Sequence, residues 1–269
     1  MIQRIRSKIL RETRKRSWNN IPRQEETTFI ENDTEWLSSI LSGPTTFIHD
    51  SMSAETIAKV IDISQKLTID KWSKFTIEFY QEGLRRFGDN WKYADLNTVL
   101  YSICKNINVR SYLEIGVRCG RSMCIVTAMN PHVEIVAFDM WIKGYAGMNN
   151  PGPDFVKIEL KKVGYSGNVE FVNGNSRKTV PLYLKNNPDA YFDLITVDGD
   201  HSISGAKIDL KNVIPRLKIG GFLVFDDICN PYHPGLKKAW KKLVGNNKRF
   251  MSFTFDEAGY GVGFGIKLF

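Results

Sequence analysis

The sequence has few features that would place the protein in an oxidising compartment or a membrane. Its four cysteines, among 269 residues, form no C-x-x-C pair and no zinc-finger spacing, so neither a disulfide framework nor a structural zinc site is expected. No stretch holds the roughly 18 consecutive apolar residues of a membrane-spanning helix, and the first residues lack the apolar core of a secretory signal. We therefore expect reduced thiols, no transmembrane segment and a cytoplasmic location.

Acidic residues are scarce in one part of the chain only. Residues 1–24 carry eight Lys and Arg side chains against one acid, Glu12, so this basic arm accounts for +7 of the formal net charge of +8. The rest of the chain is nearly neutral. Such an arm binds nucleic acid, an anionic surface or an acidic partner, or it is a solvated or dimer-packing tail, and the sequence leaves these alternatives open.

Residues 25–108 are predicted to form a mainly helical extension. Ser53 with Thr56 is typical of a helix start, and a second helix is predicted from about residue 70 to residue 86. Its aromatic side chains recur close to the 3.6-residue period, at Trp72, Phe75 and Phe79. We expect these rings in a core or between subunits, so one interpretation is a homo-oligomer formed through the extension.

From residue 109 onward, short apolar runs alternate with segments of helical spacing, which is typical of a parallel α/β sheet. The predicted strands span residues 111–115, 134–138, 169–172, 192–197 and 221–225. Two further strand-like runs, at 249–255 and 263–269, are joined by a short turn and must therefore pair antiparallel. The expected fold class is α/β, a Rossmann-like, mostly parallel seven-stranded sheet that ends in an antiparallel hairpin and covers residues 109–269.

The first of these strands runs into a loop without the G-x-G-x-x-G spacing of dinucleotide-binding folds. Instead Glu114, Gly116 and Gly120 form the pattern E-x-G-x-x-x-G, followed by Ser122. The glycines let a ligand approach the backbone, and the following helix offers free N–H groups. An acid before the first glycine would repel a diphosphate, so it favours the cationic end of an amino acid.

The second strand ends in Asp139-Met140-Trp141. An acid at this position is placed to accept hydrogen bonds from both hydroxyls of a ribose. Met140 and its neighbour Trp141 are candidates to flank an adenine ring. For any single acid at a strand end, a solvated turn residue is the alternative.

On these motifs the chain resembles the class I S-adenosylmethionine-dependent methyltransferases over residues 109–269. It is most similar to the small-molecule O-methyltransferases of the macrocin and catechol type. The resemblance implies that the loop from Glu114 to Ser122 surrounds the methionine end of S-adenosylmethionine and that Asp139 binds the ribose. It also implies an adenine contact from Asn175 or Ser176, although many relatives carry Asp where this chain has Asn175.

Acidic residues also follow the fourth and fifth strands. Asp198 follows one strand and Asp226 and Asp227 follow the other, and the carboxyl ends of adjacent parallel strands meet at one edge. Three close carboxylates repel each other unless a cation lies among them, and hard oxygen ligands suit Mg²⁺. The resembling metal-dependent enzymes hold their metal at these three positions. A helix cap or a salt bridge is the alternative for each acid taken alone.

His201 lies three residues after Asp198, at the offset where catechol-type relatives hold a catalytic lysine. Since imidazole titrates near neutral pH, we interpret His201 as a candidate general base, with Asp198 beside it in the catalytic set.

These motifs together predict an enzyme that transfers a methyl group from S-adenosylmethionine to a hydroxyl of a small molecule, assisted by Mg²⁺. A sugar, a vicinal diol and a catechol are all compatible acceptors. One alternative is a methyltransferase that acts on RNA or protein through the basic arm, although the chain lacks the N/D-P-P-Y/F motif of amino-methylating enzymes. A non-catalytic nucleotide-binding scaffold is the other alternative.

Overall fold

The computed structural model describes residues 26–31, 34–144 and 147–269, so the basic arm predicted for residues 1–24 lies outside the described part. The chain begins there with two short antiparallel strands, β1 (Thr28–Glu31) and β2 (Thr34–Leu37). The helices that follow are α1 (Ser38–Leu41), α2 (Pro44–Ser51), α3 (Ala54–Gln65), α4 (Lys71–Phe87) and α5 (Leu96–Asn106). Helices dominate this extension as predicted, whereas the β1–β2 pair was not predicted.

The remainder of the chain alternates strands and helices. Its parallel strands are β3 (Ser111–Ile115), β4 (Glu134–Asp139), β5 (Val169–Asn173), β6 (Phe192–Val197) and β7 (Leu217–Phe225). The helices between them are α6 (Arg121–Met129), α7 (Pro153–Lys162), α8 (Ser176–Asn186) and α9 (Ile203–Val213). A short helix, α10 (Leu236–Trp240), and the strands β8 (Phe250–Phe255) and β9 (Val262–Lys267) complete the fold.

The sheet confirms the predicted α/β architecture. Its seven strands lie in the order β5-β4-β3-β6-β7-β9-β8, in which β9 pairs antiparallel with both β7 and β8. The chain order reverses between β3 and β6, which are parallel neighbours. In an open sheet of this kind, a crevice for a ligand lies at that point, outside the carboxyl ends of the strands.

Local capping explains where the helices of the extension begin. The Ser53 hydroxyl accepts from the backbone N–H of Thr56 at 3.1 Å, at the helix start that the sequence predicts. Asp95 caps α5 in a reciprocal arrangement with Thr98, in which each side chain bonds the other's backbone. These hydrogen bonds satisfy N–H groups that would otherwise be unpaired at the first helical turn.

The extension and the sheet share one hydrophobic core. Phe47 of α2 is fully buried, and its ring lies 4.7 Å from the ring of Phe222 in β7 and 6.4 Å from that of Phe264 in β9. Buried residues of α3 and α5 belong to the same cluster. The extension therefore covers one face of the sheet and supports the strands that carry the site.

One strand begins earlier than expected. β7 starts at Leu217 rather than at residue 221, because the pair Gly220-Gly221 lies inside the strand and does not end it. A side chain at Gly221 would place its Cβ 2.8 Å from the Asp193 carbonyl oxygen, so the close approach to β6 requires glycine there. None of the helices in the described ranges is long and apolar enough to cross a bilayer.

Candidate active site

The glycine loop after β3 lies directly against the end of β6. Gly116 has a φ of +91°, and a Cβ at this position would lie 2.0 Å from the backbone oxygen of Asp198. Gly120, with a φ of +71°, precedes the first residue of α6. Both positions favour glycine because other residues rarely adopt a positive φ. The loop therefore brings the first turn of α6 and the acid after β6 to one edge of the sheet.

Glu114 is fully buried at the end of β3. The Tyr112 hydroxyl donates to its Oε2 at 2.7 Å, and the Ser122 hydroxyl donates to its Oε1. Burial raises the pKa of Glu114 to about 8; the two hydroxyl hydrogen bonds oppose this shift, and the nearby charges of Asp198 and Asp139 add to it. Glu114 and Ser122, both predicted to bind the cofactor, are thus bonded to each other beneath the loop.

Asp139 binds the glycine loop. Its Oδ2 accepts from the backbone N–H groups of Val117 and Arg118 at 2.8 and 2.9 Å. Its Oδ1 accepts from the N–H of Trp141 at 2.6 Å and from the side-chain amide of Asn150 at 3.3 Å. A carboxylate has about four acceptor positions, so all of them are used here. A ribose would have to replace one of these donors, and the longest of these bonds is that from Asn150.

The predicted adenine contacts lie at the ends of neighbouring strands. Met140 follows β4 and is half exposed. Asn175 caps α8 by accepting from the N–H of Arg177 at 3.0 Å, and Ser176 is the first residue of that helix. Asp139 and Asn173 are paired in register between β4 and β5. Met140, Asn175 and Ser176, which follow these two strand ends, therefore lie at the same edge of the sheet.

The second group of predicted residues converges after β6 and β7. His201 Nε2 lies 3.2 Å from Asp198 Oδ1, and His201 Nδ1 lies 3.6 Å from Asp227 Oδ2. One potential ligand atom from each of these three residues lies within 4.8 Å of the other two. The expected group consisted of Asp198, Asp226 and Asp227. Asp226 is not a member of this trio, and His201 takes its place.

The carboxylates of this group disfavour each other's charge. Burial and the charges of Asp198 and Asp227 raise the pKa of Asp226 well above its usual range. Burial and the charge of Asp198 also raise the pKa of Asp227, against a hydrogen bond from Asn230. The bond to Asp198 raises the pKa of His201, and burial opposes that rise. The group therefore attracts positive charge.

Two polar residues of this region were not among the predicted site residues. The side-chain amide of Asn230 donates to Asp227 Oδ2 at 2.9 Å, and Asp227 has a φ of +62°. The other residue, Asn150, has a side-chain oxygen that is buried without a hydrogen-bond partner. Neither residue belongs to a motif with fixed spacing. The only sequence signal was the richness of their loops in Asn, Pro and Gly.

The known proteins that are similar to this chain are methyltransferases. Residues 113–228 match a protein-family profile described as a methyltransferase domain. A TDP-rhamnose 3'-O-methyltransferase of calicheamicin biosynthesis has a TM-score of 0.50 at 24% identity, covering 79% of this chain and 93% of that one. The O-methyltransferase TomG from Streptomyces achromogenes, involved in tomaymycin synthesis and solved with S-adenosylmethionine, has a TM-score of 0.50 at 16% identity, covering 80% and 90%. Curated protein sequences give no significant match. At these identities the solved structures show a shared fold.

Proposed function

We propose that this chain, which carries a class I S-adenosylmethionine-dependent methyltransferase domain, methylates a hydroxyl group of a small molecule. The observation that carries the proposal is the convergence of two groups at one sheet edge. The glycine loop with Asp139 forms one group, and the cluster of Asp198, His201 and Asp227 forms the other. Gly116 joins them through its close approach to Asp198. A methyl donor in the first group would thus lie beside a base and acids that suit a hydroxyl acceptor.

The residues of the loop fit a cationic cofactor. S-adenosylmethionine carries a positive sulfonium and an ammonium group, and the charges of Asp139 and Asp198 are close enough to Glu114 to raise its pKa. A bound cation reduces this mutual repulsion. Asp139 is the proposed ribose ligand. A ribose hydroxyl would replace the side-chain amide of Asn150 as a hydrogen-bond donor to Asp139. Asn150 has its own unpaired oxygen and can then bond to a ligand hydroxyl.

The acids fit a divalent cation on the same electrostatic grounds. Asp198 and Asp227 bring ligand atoms within 4.8 Å of each other, and Asp226 is close enough for their charges to raise its pKa, so these three acids would hold the ion. A bound Mg²⁺ would lower the pKa of an acceptor hydroxyl.

His201 is the proposed general base. When its Nε2–H donates to Asp198 Oδ1, the lone pair of Nδ1 remains on the side of Asp227 and can take the hydroxyl proton. Asp198 would then orient the ring and stabilise the imidazolium that forms. Removing a general base of this kind reduces turnover by roughly 10²–10⁴-fold.

Calorimetry with S-adenosylhomocysteine tests the cofactor assignment. We expect binding by the wild type and weaker binding by Asp139→Ala, with Asp154→Ala as a matched control on an exposed acid of α7. Absence of binding by a folded wild-type protein would contradict the proposed function.

Turnover of a panel of catechols and vicinal diols tests the metal, after EDTA treatment and Mg²⁺ add-back. We expect activity to be lost and then restored. Full activity after EDTA would contradict the metal mechanism. Catalysis would then depend on the proximity of the two substrates and on His201 as the base.

A further inference from the structure

The glycine loop carries two positive charges beside the acids already described. Arg118 lies within the loop, between Gly116 and Gly120, and Arg121 is the first residue of α6. Both guanidinium groups lie close to Asp70, the residue that caps α4. Arg118 Nη2 is 3.4 Å and Arg121 Nη2 is 3.7 Å from Asp70 Oδ2. Two cations therefore converge on one carboxylate oxygen.

Asp70 supplies too little negative charge for both arginines. Its Oδ1 accepts from the backbone N–H of Ser73 at 2.7 Å, as the cap of α4. Burial alone would raise the pKa of Asp70, but the bonds from Ser73 and the charges of the two arginines hold it below its usual value, so the acid is ionised. No other acid of the described ranges lies within 4.0 Å of either arginine. One positive charge is thus in excess beside the loop.

Neither guanidinium group makes a close bond to an acid. Arg118 donates from Nη1 to Met148 Sδ at 2.9 Å, and a thioether is a weak acceptor. Arg121 donates from Nη2 to the backbone oxygen of Thr68, whereas its Nε and Nη1 are buried without a hydrogen-bond partner among the described residues. Charged N–H···O bonds are normally about 2.7–2.9 Å long, so both arginines can still bond to a second carboxylate.

Arg118 is the more accessible of the two arginines. Its side chain is 24% exposed, against 18% for Arg121, which is bonded to the connection between α3 and α4. Arg118 has a φ of +50°, and its N–H donates to Asp139 Oδ2 at 2.9 Å in this conformation. Residues other than glycine rarely adopt a positive φ, and those that do are concentrated at functional sites. Arg118 is therefore placed in the loop that the cofactor approaches.

The charges around the loop match an amino acid in its zwitterionic form. The acids suit the ammonium and sulfonium groups of S-adenosylmethionine, but they would repel the carboxylate at its methionine end. The excess positive charge of Arg118 and Arg121 is what that carboxylate requires. A phosphate, with up to two negative charges, would be repelled more strongly by the acids of the same loop.

We infer that Arg118 binds the carboxylate at the methionine end of S-adenosylmethionine, with Arg121 as a second positive charge beside it. The inference rests on the proposed function, and it assigns the charged group of the cofactor that the acids cannot bind. A guanidinium group can bind a carboxylate through two parallel hydrogen bonds, whereas an ammonium group acts as a point charge. Asp70 keeps the two arginines close together, so the extension contributes to recognition of the cofactor.

Calorimetry with two ligands tests this contact. One ligand is S-adenosylhomocysteine, and the other is S-adenosyl-3-thiopropylamine, the same molecule with a hydrogen in place of the carboxylate. We expect Arg118→Gln to weaken S-adenosylhomocysteine binding by about 10- to 100-fold, the contribution of a charged hydrogen bond. Its affinity for the amine should change by less than about twofold, because the two changes then remove the same contact. The wild type should prefer S-adenosylhomocysteine, and the variant should lose this preference.

Two further variants serve as controls. Arg118→Lys keeps the charge but loses the two parallel donors, so its preference should lie between those of the wild type and Arg118→Gln. Arg86→Gln removes an exposed arginine near the other end of α4 and should bind both ligands as the wild type does. Equal losses for both ligands in Arg118→Gln would overturn the inference, because the side chain would then shape the loop without binding the carboxylate.

The wild type alone separates this inference from the proposed function. If it binds both ligands equally well, the cofactor assignment stands and the carboxylate contact is wrong, a result that depends on no variant being folded. If the folded wild type binds neither ligand, the proposed function is wrong and the inference fails with it.

Discussion

Glu114 is a buried acid whose charge is unfavourable in the folded protein. Its pKa rises from an ordinary value of 4.5 to about 8, chiefly through burial. Between about pH 4.5 and pH 8 the folded chain therefore retains a proton that the unfolded chain releases. The stability from this group is fully present below pH 4.5 and is lost as the pH rises through 8, at a rate of at most about 1.4 kcal/mol per pH unit.

Glu114→Gln should remove this dependence. The amide mimics the protonated acid, so we expect the free energy of unfolding of the variant to change less with pH from 5 to 8 than that of the wild type. Urea titrations at several pH values measure the two slopes. Parallel slopes for both proteins would show that Glu114 is ionised in the fold.

Asp139 combines two roles that can be separated. It accepts four hydrogen bonds that hold the glycine loop, and it is the proposed ribose ligand. Asp139→Ala should weaken S-adenosylhomocysteine binding by about 1.5–3 kcal/mol, the contribution of a charged hydrogen bond, and should also lower the melting temperature. Asn150→Ala removes only the longest of the four bonds, so its melting temperature should change less. Unchanged affinity in Asp139→Ala would exclude the ribose contact.

At the scale of single elements, the N-terminal caps of α3 and α5 differ in how many hydrogen bonds they make. Asp95 caps α5 and also accepts from the hydroxyls of Tyr80 and Tyr93, the second at 3.2 Å. Ser53 makes one capping bond to the N–H of Thr56. Asp95→Ala should cost about 2–4 kcal/mol, because it removes a cap and leaves buried hydroxyls without an acceptor. Ser53→Ala should cost about 1 kcal/mol. Chemical denaturation compares them, and equal losses would contradict the shared role of Asp95.

The elements were predicted where local signals and long-range packing agree. The cap of α3, the helical period of the aromatic residues in α4 and the alternating apolar runs of the sheet identify their own segments. The start of β7 was misplaced because Gly220-Gly221 is a turn signal in sequence and a close approach to Asp193 in the fold. The site acids were predicted from the rule that parallel strand ends meet. The bonds of Asp139 to the loop amides were not predicted, since they depend on a loop conformation that no spacing encodes.

At the scale of the whole molecule, Asp193, the second residue of β6, connects distant parts of the chain. Its Oδ2 accepts from the N–H groups of Arg110 and Ser111 at 3.0 and 2.9 Å. Its Oδ1 accepts from the Thr27 hydroxyl at 3.0 Å and lies 3.2 Å from Lys218 Nζ. The start of the described chain, β3 and β7 are therefore held by one buried carboxylate.

Asp193→Ala should destabilise the protein by about 3–5 kcal/mol, as expected when one partner of a buried ion pair is removed. Thermal unfolding measures the loss. Asp154→Ala, which removes an exposed pair with Lys157, should change the melting temperature little. Similar shifts in both variants would show that Asp193 is not a central contact.

The basic arm is expected to be dispensable for methyl transfer, because all the proposed cofactor and metal residues lie beyond residue 109. Deletion of residues 1–24 should leave turnover of a small acceptor unchanged, and binding to nucleic acid or an anionic surface, if present, should be lost with it and be sensitive to salt. If the deletion abolishes turnover but leaves cofactor affinity and oligomeric state unchanged, the arm belongs to the active site and a polymeric substrate is favoured.

The position of β9 has a consequence for how the protein folds during synthesis. β9 follows every other strand along the chain, yet it lies inside the sheet, between β7 and β8. Until residues 262–267 leave the ribosome, β7 has an unpaired edge and β8 has no neighbour in the sheet. The sheet is therefore completed only after residue 267 has been translated, and until then the nascent chain exposes a hydrophobic strand edge of the kind that chaperones cover.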